Sequence, residues 1–213
     1  MKRYLSNLKI FGVCLLIAVV INGPSFYRTF NPMPTPEPDT LPTVAEMAVT
    51  RAYKVETMFG SGSGVCIAKG FMLTAHHVIF GKNKVQVTVG GTVYDVESWE
   101  TIEGMDAVIL KVDTPACPVT LRVVPLIVGD IVFIVGYPWG SGPIITTGIM
   151  SGRWNELLLL DAGARAGNSG GPVFDSNGEL VGIVIMATGG IGRSSTIMTP
   201  IYNIMKEWHG GQL

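Results

Sequence analysis

This chain of 213 residues has little charge, few cysteines and few histidines, and each shortage narrows what it can do. Charged residues make up 15% of the sequence and the formal net charge is −1, so it lacks the basic stripe with which proteins bind nucleic acids. A hydrophobic content of 47% argues against disorder of the whole chain. The 27 glycines and 13 prolines predict a globular fold rich in turns.

Cysteine is scarce, and the three that occur do not predict a metal site. Cys14 lies in an apolar leader, which leaves Cys66 and Cys117 in the folded part. Neither has the spacing of zinc ligands, and we expect no metal or cofactor. Both cysteines fall at strand positions. The sequence does not fix the distance that a disulfide requires, so two buried thiols and one disulfide both stay open.

The chain begins with a leader of the kind that directs export. Lys2, Arg3 and Lys9 precede an apolar run from Ile10 to Ile21, the order of charge and hydrophobicity in a signal peptide. The run is shorter than the roughly 20 residues of a membrane-spanning helix, but the cleavage site near Gly23 is poor. We therefore predict that residues 1–25 are either a signal peptide or a retained membrane anchor. In both cases the rest of the chain is exported, to the periplasm or outside the cell.

A proline-rich segment follows the leader. Proline recurs at alternate positions from Asn31 to Pro42, which favours an extended polyproline conformation. Residues 26–43 are predicted to be a linker, either a disordered tail or a semi-rigid stalk, ahead of a folded part at 44–213.

Short apolar runs separated by turn residues fill the remainder and predict an all-β sandwich or barrel. Asn177-Gly178 predicts a hairpin turn between two of these runs. Helices are expected only near His77 and after Pro200, where apolar residues recur at helical spacing. The predicted strands are 64–68, 71–74, 85–89, 92–97, 107–112, 131–136, 144–149, 157–160, 171–174, 180–186 and 196–199.

Three histidines limit the choice of a catalytic base. His209 lies in a polar, glycine-containing tail, where we expect it to be solvated. His76 and His77 are adjacent, so their side chains point to different sides of a strand or turn. Taken alone, a histidine in such an apolar stretch is more often a structural residue.

Two other positions offer partners for a histidine. Asp106 leads an apolar strand, which is an ordinary place for an acid but also one where strand backbone could hold it against a neighbouring loop. Ser169 lies among glycines, which permit a tight turn where the amides of Gly167 and Ser169 converge on one point. A plain glycine-rich surface turn would have the same composition.

Three motifs, in this order, resemble those of the chymotrypsin-like serine proteases. They are TAHHV at 74–78, DAVILKV at 106–112 and GNSGGPV at 167–173. The resemblance is closest to the HtrA (Deg) branch and covers roughly residues 50–208. It extends to the segments 62–65, 135–140, 145–152 and 178–183.

The resemblance implies two six-stranded antiparallel β-barrels, at about 44–118 and 119–208, with the site between them and a short C-terminal helix. It implies a serine endopeptidase in which His77 is the base, Asp106 orients it and Ser169 forms the acyl-enzyme. The amides of Gly167 and Ser169 would then form the oxyanion hole. The binding partner of such an enzyme would be a polypeptide substrate. Relatives of this branch are commonly homotrimers, so a homotrimer is also implied.

The sequence departs from the resemblance at several points. Asn168 replaces the aspartate by which digestive relatives are activated through propeptide cleavage, so that activation is not expected. A PDZ domain, which HtrA proteins usually carry, is not expected after the last predicted helix. The substrate pocket is expected to contain no acid and to favour a small or medium apolar side chain before the cut; its predicted residues are Ala162, Gly163, Met186 and Ala187.

Two other functions fit parts of the sequence. Residues 167–171 also match GxSxG, the nucleophile turn of α/β-hydrolases, but that fold needs a helix after the serine and a histidine downstream. Here Pro172 and a predicted hairpin follow the serine. A protease fold that serves only as a binding module is the remaining alternative, and the intact Ser, His and Asp set argues against it.

Overall fold

The structure, a computed structural model, describes residues 40–116, 118–188 and 195–208. Cys117, His209 and the leader lie outside the described residues. The described chain is mostly β-strand, so the predicted all-β class is confirmed. Its helices are α1 (Thr40–Arg51), α2 (His76–Ile79) and α3 (Ile201–Glu207), with a 3₁₀ turn at Pro138–Gly140. The strands are β1 (Ala52–Thr57), β2 (Gly60–Ala68), β3 (Phe71–Thr74), β4 (Val85–Val89), β5 (Thr92–Asp95), β6 (Ser98–Thr101), β7 (Val108–Lys111), β8 (Ile131–Gly136), β9 (Ile144–Trp154), β10 (Leu157–Leu160), β11 (Pro172–Asp175), β12 (Leu180–Thr188) and β13 (Ser195–Pro200).

The first half of the fold is a seven-stranded antiparallel sheet in the order β5-β4-β1-β2-β3-β7-β6. Its two edge strands, β5 and β6, are consecutive in the chain and are separated only by Val96 and Glu97. Val96 N–H donates to Val85 O of β4 at 3.0 Å and Glu97 N–H to Lys111 O of β7 at 2.9 Å, so the junction pairs with the strand next to each edge. The sheet therefore curves into a half-barrel. The first of the two predicted barrels is thus observed as a half-barrel sheet of seven strands.

The second half is a closed six-stranded barrel in the order β10-β13-β12-β11-β8-β9. Strand β8 shows how the two halves join, because both of its faces are buried. Val132 and Ile134 point into this barrel, whereas Phe133 and Val135 point the other way. Alternate residues of a strand face opposite sides, so one strand contributes to two cores.

The core on the other side of β8 is shared by both sheets and by two helices. Residues of the first sheet, such as Val65 and Leu73, pack there together with Phe174 of β11. Ala48 of α1 and Ile204 of α3 are fully buried in the same cluster. The two barrels are therefore joined by a continuous apolar core and not only by a polar seam.

Several predicted elements are confirmed, four of them with their predicted ends: β3, β4, β8 and β10. The hairpin at Asn177-Gly178 is also confirmed, since β11 and β12 pair in antiparallel fashion and Gly178 has φ of +78°. Strands β1 and β6 and helix α1 were not predicted from the sequence. Helix α1 begins at Thr40, inside the predicted linker, and Pro42 occupies its first turn, where a helix does not need the missing N–H.

For Cys66, a buried thiol and a disulfide with Cys117 both stay open. Its sulfur is buried and donates to Ala116 O at 3.6 Å, next to Cys117, which the structure does not describe. Among the helices at 40–208 that are described, none is long and apolar enough to cross a bilayer.

Candidate active site

His77 and Asp106 meet where helix α2 faces the loop before β7. His77 Nδ1 lies 2.6 Å from Asp106 Oδ2, and the backbone N–H of His77 donates to Asp106 Oδ1 at 2.9 Å. The carboxylate thus holds both the ring and the main chain of the histidine. His76 points elsewhere, with its ring packed edge-on against Phe80 at 5.4 Å between centroids. The two adjacent histidines therefore have different surroundings, as their alternation predicts.

The surroundings of Asp106 keep its carboxyl group ionised. Burial is the largest single influence and raises its pKa. The hydrogen bonds from the His77 side chain and backbone, with the charges of His77 and His76, lower the pKa and together outweigh burial. The pKa of Asp106 consequently lies below its ordinary value of 3.8. An ionised carboxylate at this place favours the His77 tautomer whose proton is on Nδ1, which leaves Nε2 as an acceptor.

Ser169 lies in a turn between β10 and β11 that we call the serine turn, residues 165–171. Gly167 and Gly170 have φ of +99° and +79°, a region that only glycine enters readily. The amides of Asn168, Gly170 and Gly171 donate to main-chain carbonyls at 2.7–2.9 Å. Among the described residues, those of Gly167 and Ser169 donate to no main-chain carbonyl. The two predicted oxyanion donors are thus among the amides that the turn leaves available.

The 3₁₀ turn at Pro138–Gly140 fixes the peptide that carries the Gly167 N–H. Trp139 N–H donates to Ala166 O at 2.8 Å. In a trans peptide the C=O and N–H point in opposite directions, so this bond directs Gly167 N–H away from Trp139. Trp139 itself has φ of +54°, an uncommon conformation for a non-glycine residue, and the Arg165 guanidinium lies 5.4 Å from the centre of its ring.

His77 and Ser169 line one open cavity of about 250 Å³. No hydrogen bond of the Ser169 hydroxyl occurs within the part of the chain that the structure describes. Such bonds are often long without substrate and shorten when it binds. The other lining residues are Thr57, Phe59, Gly60, Ser61, Val78 and Lys82.

The four predicted pocket residues fall into two groups. Ala162 is buried in the core of the second barrel, and its carbonyl accepts a hydrogen bond of 2.5 Å from the Thr196 hydroxyl. The carbonyl of Gly163 accepts one of 2.7 Å from Thr146. Met186 and Ala187 are exposed near the C-terminal end of β12.

Sequence reasoning missed the hydroxyl groups that hold this site together. Thr146 and Thr196 bind the carbonyls of the predicted pocket, and Ser63 binds the serine turn. The available signal for Ser63 was a polar residue between two glycines at the start of an apolar strand. No group of three or more His, Cys, Asp or Glu side chains at 40–208 converges to hold a metal ion, as far as these residues are described.

Comparison with known proteins shows extensive similarity. Residues 62–183 match the family described as Trypsin-like peptidase domain. The chain is 35% identical over 187 residues to the magnetosome formation protease MamE of Paramagnetospirillum magneticum, covering 79% of this chain and 25% of that protein. It is 32% identical over 212 residues to the serine endoprotease DegS of Escherichia coli K12, covering 82% and 57%. The chain thus spans between a quarter and just over half of these relatives.

Solved structures show the same similarity. The serine endoprotease from Yersinia pestis superposes with a TM-score of 0.72 at 26% identity, covering 82% of this chain and 65% of that one. The predicted resemblance to HtrA (Deg) proteases is confirmed by these matches.

Proposed function

This chain belongs to the trypsin-like peptidase family, and on that basis we propose that it is a serine endopeptidase that works through an acyl-enzyme. The observation that carries the proposal is the His77–Asp106 pair beside a cavity that His77 shares with Ser169. A base, its orienting carboxylate and a serine in one cleft are the parts that nucleophilic acyl transfer requires.

In the proposed mechanism, Ser169 Oγ attacks the scissile carbonyl while His77 Nε2 takes its proton. Asp106 holds the ring through Nδ1 and stabilises the imidazolium that forms. The amides of Gly167 and Ser169 stabilise the oxyanion of the tetrahedral intermediate. When that intermediate collapses, the C–N bond breaks and His77 protonates the leaving amine. Water, activated by His77, then hydrolyses the ester of Ser169.

Labelling with a fluorophosphonate tests the proposal, because this probe reacts with an activated serine. We expect the wild-type protein to be labelled at Ser169, Ser169→Ala to remain unlabelled, and the exposed Ser151→Ala to be labelled like wild type. A folded wild-type protein that takes up no label would contradict the proposal. That result would favour a protease fold that acts only as a binding module.

We further propose an apolar preference at the residue before the cut. The residues predicted for this pocket, Ala162, Gly163, Met186 and Ala187, include no acid that could pair with Lys or Arg. A peptide library should therefore be cleaved mainly after small or medium apolar residues. Cleavage mainly after Lys or Arg would refute this preference.

The substrates are proposed to be polypeptides outside the cytoplasm, because the leader at 1–25 has the charge order of an export signal. An alkaline phosphatase fused after residue 43 should be active in a bacterial host, and an inactive fusion would contradict export.

A homotrimer, as in relatives of the HtrA branch, is proposed as well. Light scattering on the purified protein should give three times the mass of one chain, and the mass of one chain would refute it.

A further inference from the structure

Ser63 lies in β2, in the first barrel, and its side chain is fully buried against the serine turn of the second. Its hydroxyl donates to Gly167 O at 2.7 Å and accepts the backbone N–H of Tyr137 at 2.9 Å. A hydroxyl has one proton, and Tyr137 N–H can only donate. The direction of both bonds is therefore determined, and the Ser63 hydroxyl connects Tyr137 N–H to Gly167 O.

The main chain of Ser63 binds the same turn. Its N–H donates to Ser169 O at 2.8 Å. The carbonyls of Gly167 and Ser169 therefore both accept hydrogen bonds from Ser63. Its own carbonyl accepts a hydrogen bond of 2.6 Å from the Thr74 hydroxyl. From these contacts we infer that Ser63 is a positioning residue for the oxyanion donors, an inference that rests on the proposed function.

The space around Ser63 is matched to a serine side chain. A Cβ added to Gly136 would lie 2.9 Å from Ser63 Oγ, and one added to Gly171 would lie 3.3 Å from Ser63 Cβ. Two glycines thus make room for the hydroxyl, and little space remains for a larger side chain. Removal of the hydroxyl alone, in Ser63→Ala, is consequently the cleanest perturbation.

The hydroxyl matters for catalysis because it restrains a glycine. Gly167 supplies a proposed oxyanion donor, and its backbone rotates more freely than that of any other residue type. Trp139 holds the peptide before Gly167 through Ala166 O, and Ser63 holds the peptide after it through Gly167 O. The donor is fixed from both sides. Loss of one restraint shifts the donor, and a misplacement of about 1 Å can cost about 100-fold in rate.

If Ser63 only stabilised the fold, its loss would leave kcat unchanged, so kinetic constants distinguish that role from the positioning of the oxyanion donors. For Ser63→Ala we expect kcat on a cleaved peptide to fall by about 10- to 100-fold with KM within about twofold of wild type. Thr88→Val is the control, because it removes a part-buried hydroxyl bond of 3.0 Å to Glu56 Oε2, between β4 and β1, and no bond to Ser63 or to the serine turn. It should lose thermal stability like Ser63→Ala but keep kcat within about twofold.

Binding of a transition-state analogue gives the second measurement. A peptidyl boronate places a negative oxygen near the oxyanion donors, so its affinity should fall by the same factor as kcat/KM in Ser63→Ala. The uncleaved peptide should bind Ser169→Ala and the double variant Ser63→Ala/Ser169→Ala equally well. Unchanged kcat, an equal loss of kcat in Thr88→Val, or a loss confined to KM would each overturn the inference.

Two further measurements cover the cases in which Ser63→Ala does not fold or the wild-type protein has no peptidase activity. If Ser63→Ala does not fold, Ser63→Cys keeps a weak donor and should show a kcat between wild type and background; a wild-type kcat there would overturn the inference. If wild-type protein takes up no fluorophosphonate and cleaves no peptide, the proposed function has failed. Amide exchange and the ¹⁵N shift of Gly167 then test the restraint alone, and values unchanged in Ser63→Ala would refute it.

Discussion

At the scale of single residues, Gly167 is a position where the site has no room for a larger side chain. A Cβ there would lie 2.3 Å from Tyr137 O, and φ of +99° is unfavourable for any other residue. In Gly167→Ala the turn must move, and we expect peptidase activity to fall by at least about 100-fold. Gly142→Ala is the control, since nothing lies within 4 Å of the added atom, and it should keep full activity in the same peptide assay.

Asp106 connects catalysis with stability through its ionisation. Its pKa is lower in the folded protein than its ordinary value of 3.8, so the carboxylate stabilises the fold above that pH. This contribution is lost as the pH falls through the lowered pKa. In urea unfolding, the stability difference between wild type and Asp106→Asn should stay constant from pH 7 to about 4 and shrink below it. A difference that shrinks already between pH 7 and 5 would contradict this assignment. At pH 7 the variant should lose about 10⁴-fold in kcat, because an amide in place of the carboxylate favours the wrong His77 tautomer.

The sequence predicted the candidate residues His77, Asp106 and Ser169 because each lies in a motif with local turn or strand character. It did not predict Ser63 or Trp139. These residues act through hydrogen bonds to carbonyls more than 20 positions away in the chain: Trp139 binds Ala166 O, and Ser63 binds the carbonyls of Gly167 and Ser169. Such contacts depend on tertiary packing, which no local pattern encodes.

At the scale of elements, Arg122 joins the connection between the barrels to the β11–β12 hairpin. Its guanidinium lies 3.0 Å from Asp175 and 3.1 Å from Asp130, and Asp175 is fully buried. Arg122→Met leaves the Asp175 carboxylate without its cation, and we expect unfolding free energy to fall by about 3 kcal/mol. The exposed pair Lys84–Asp95 is the comparison, since Lys84→Met should leave the urea midpoint unchanged. Equal midpoints for both variants would contradict the assigned role of Arg122.

Strands rich in β-branched residues were predictable, as β4 and β8 show, because their apolar runs end sharply at turn residues. Strand β1 was missed since its sequence, AYKVET, alternates apolar and charged residues over a short stretch. It is held by pairing on both sides, with β2 and β4. Helix α1 was missed because proline dominates the preceding segment, whereas tertiary packing of Ala48 stabilises it.

At the scale of the whole molecule, the shared core predicts that both barrels unfold together. Val65 and Leu73 of the first sheet pack in one cluster with Phe133 and Phe174 of the second barrel. Loss of either half exposes the core of the other, so intermediates are unfavourable. Urea unfolding followed by tryptophan fluorescence and by far-ultraviolet circular dichroism should give coincident transitions. Two separated midpoints would show that the barrels unfold independently.

Helix α1 comes before the first barrel in the chain, yet it packs on β8 and β9 of the second. About 80 residues separate the end of α1 from the start of β8. A ribosome adds roughly 5–20 residues each second, so α1 waits for several seconds before its packing surface has been made. During that interval the part of the helix that packs on β8 and β9 has no native partner. The beginning of this domain is therefore among the last parts to be protected during synthesis, and chaperones that bind nascent chains have their best opportunity there.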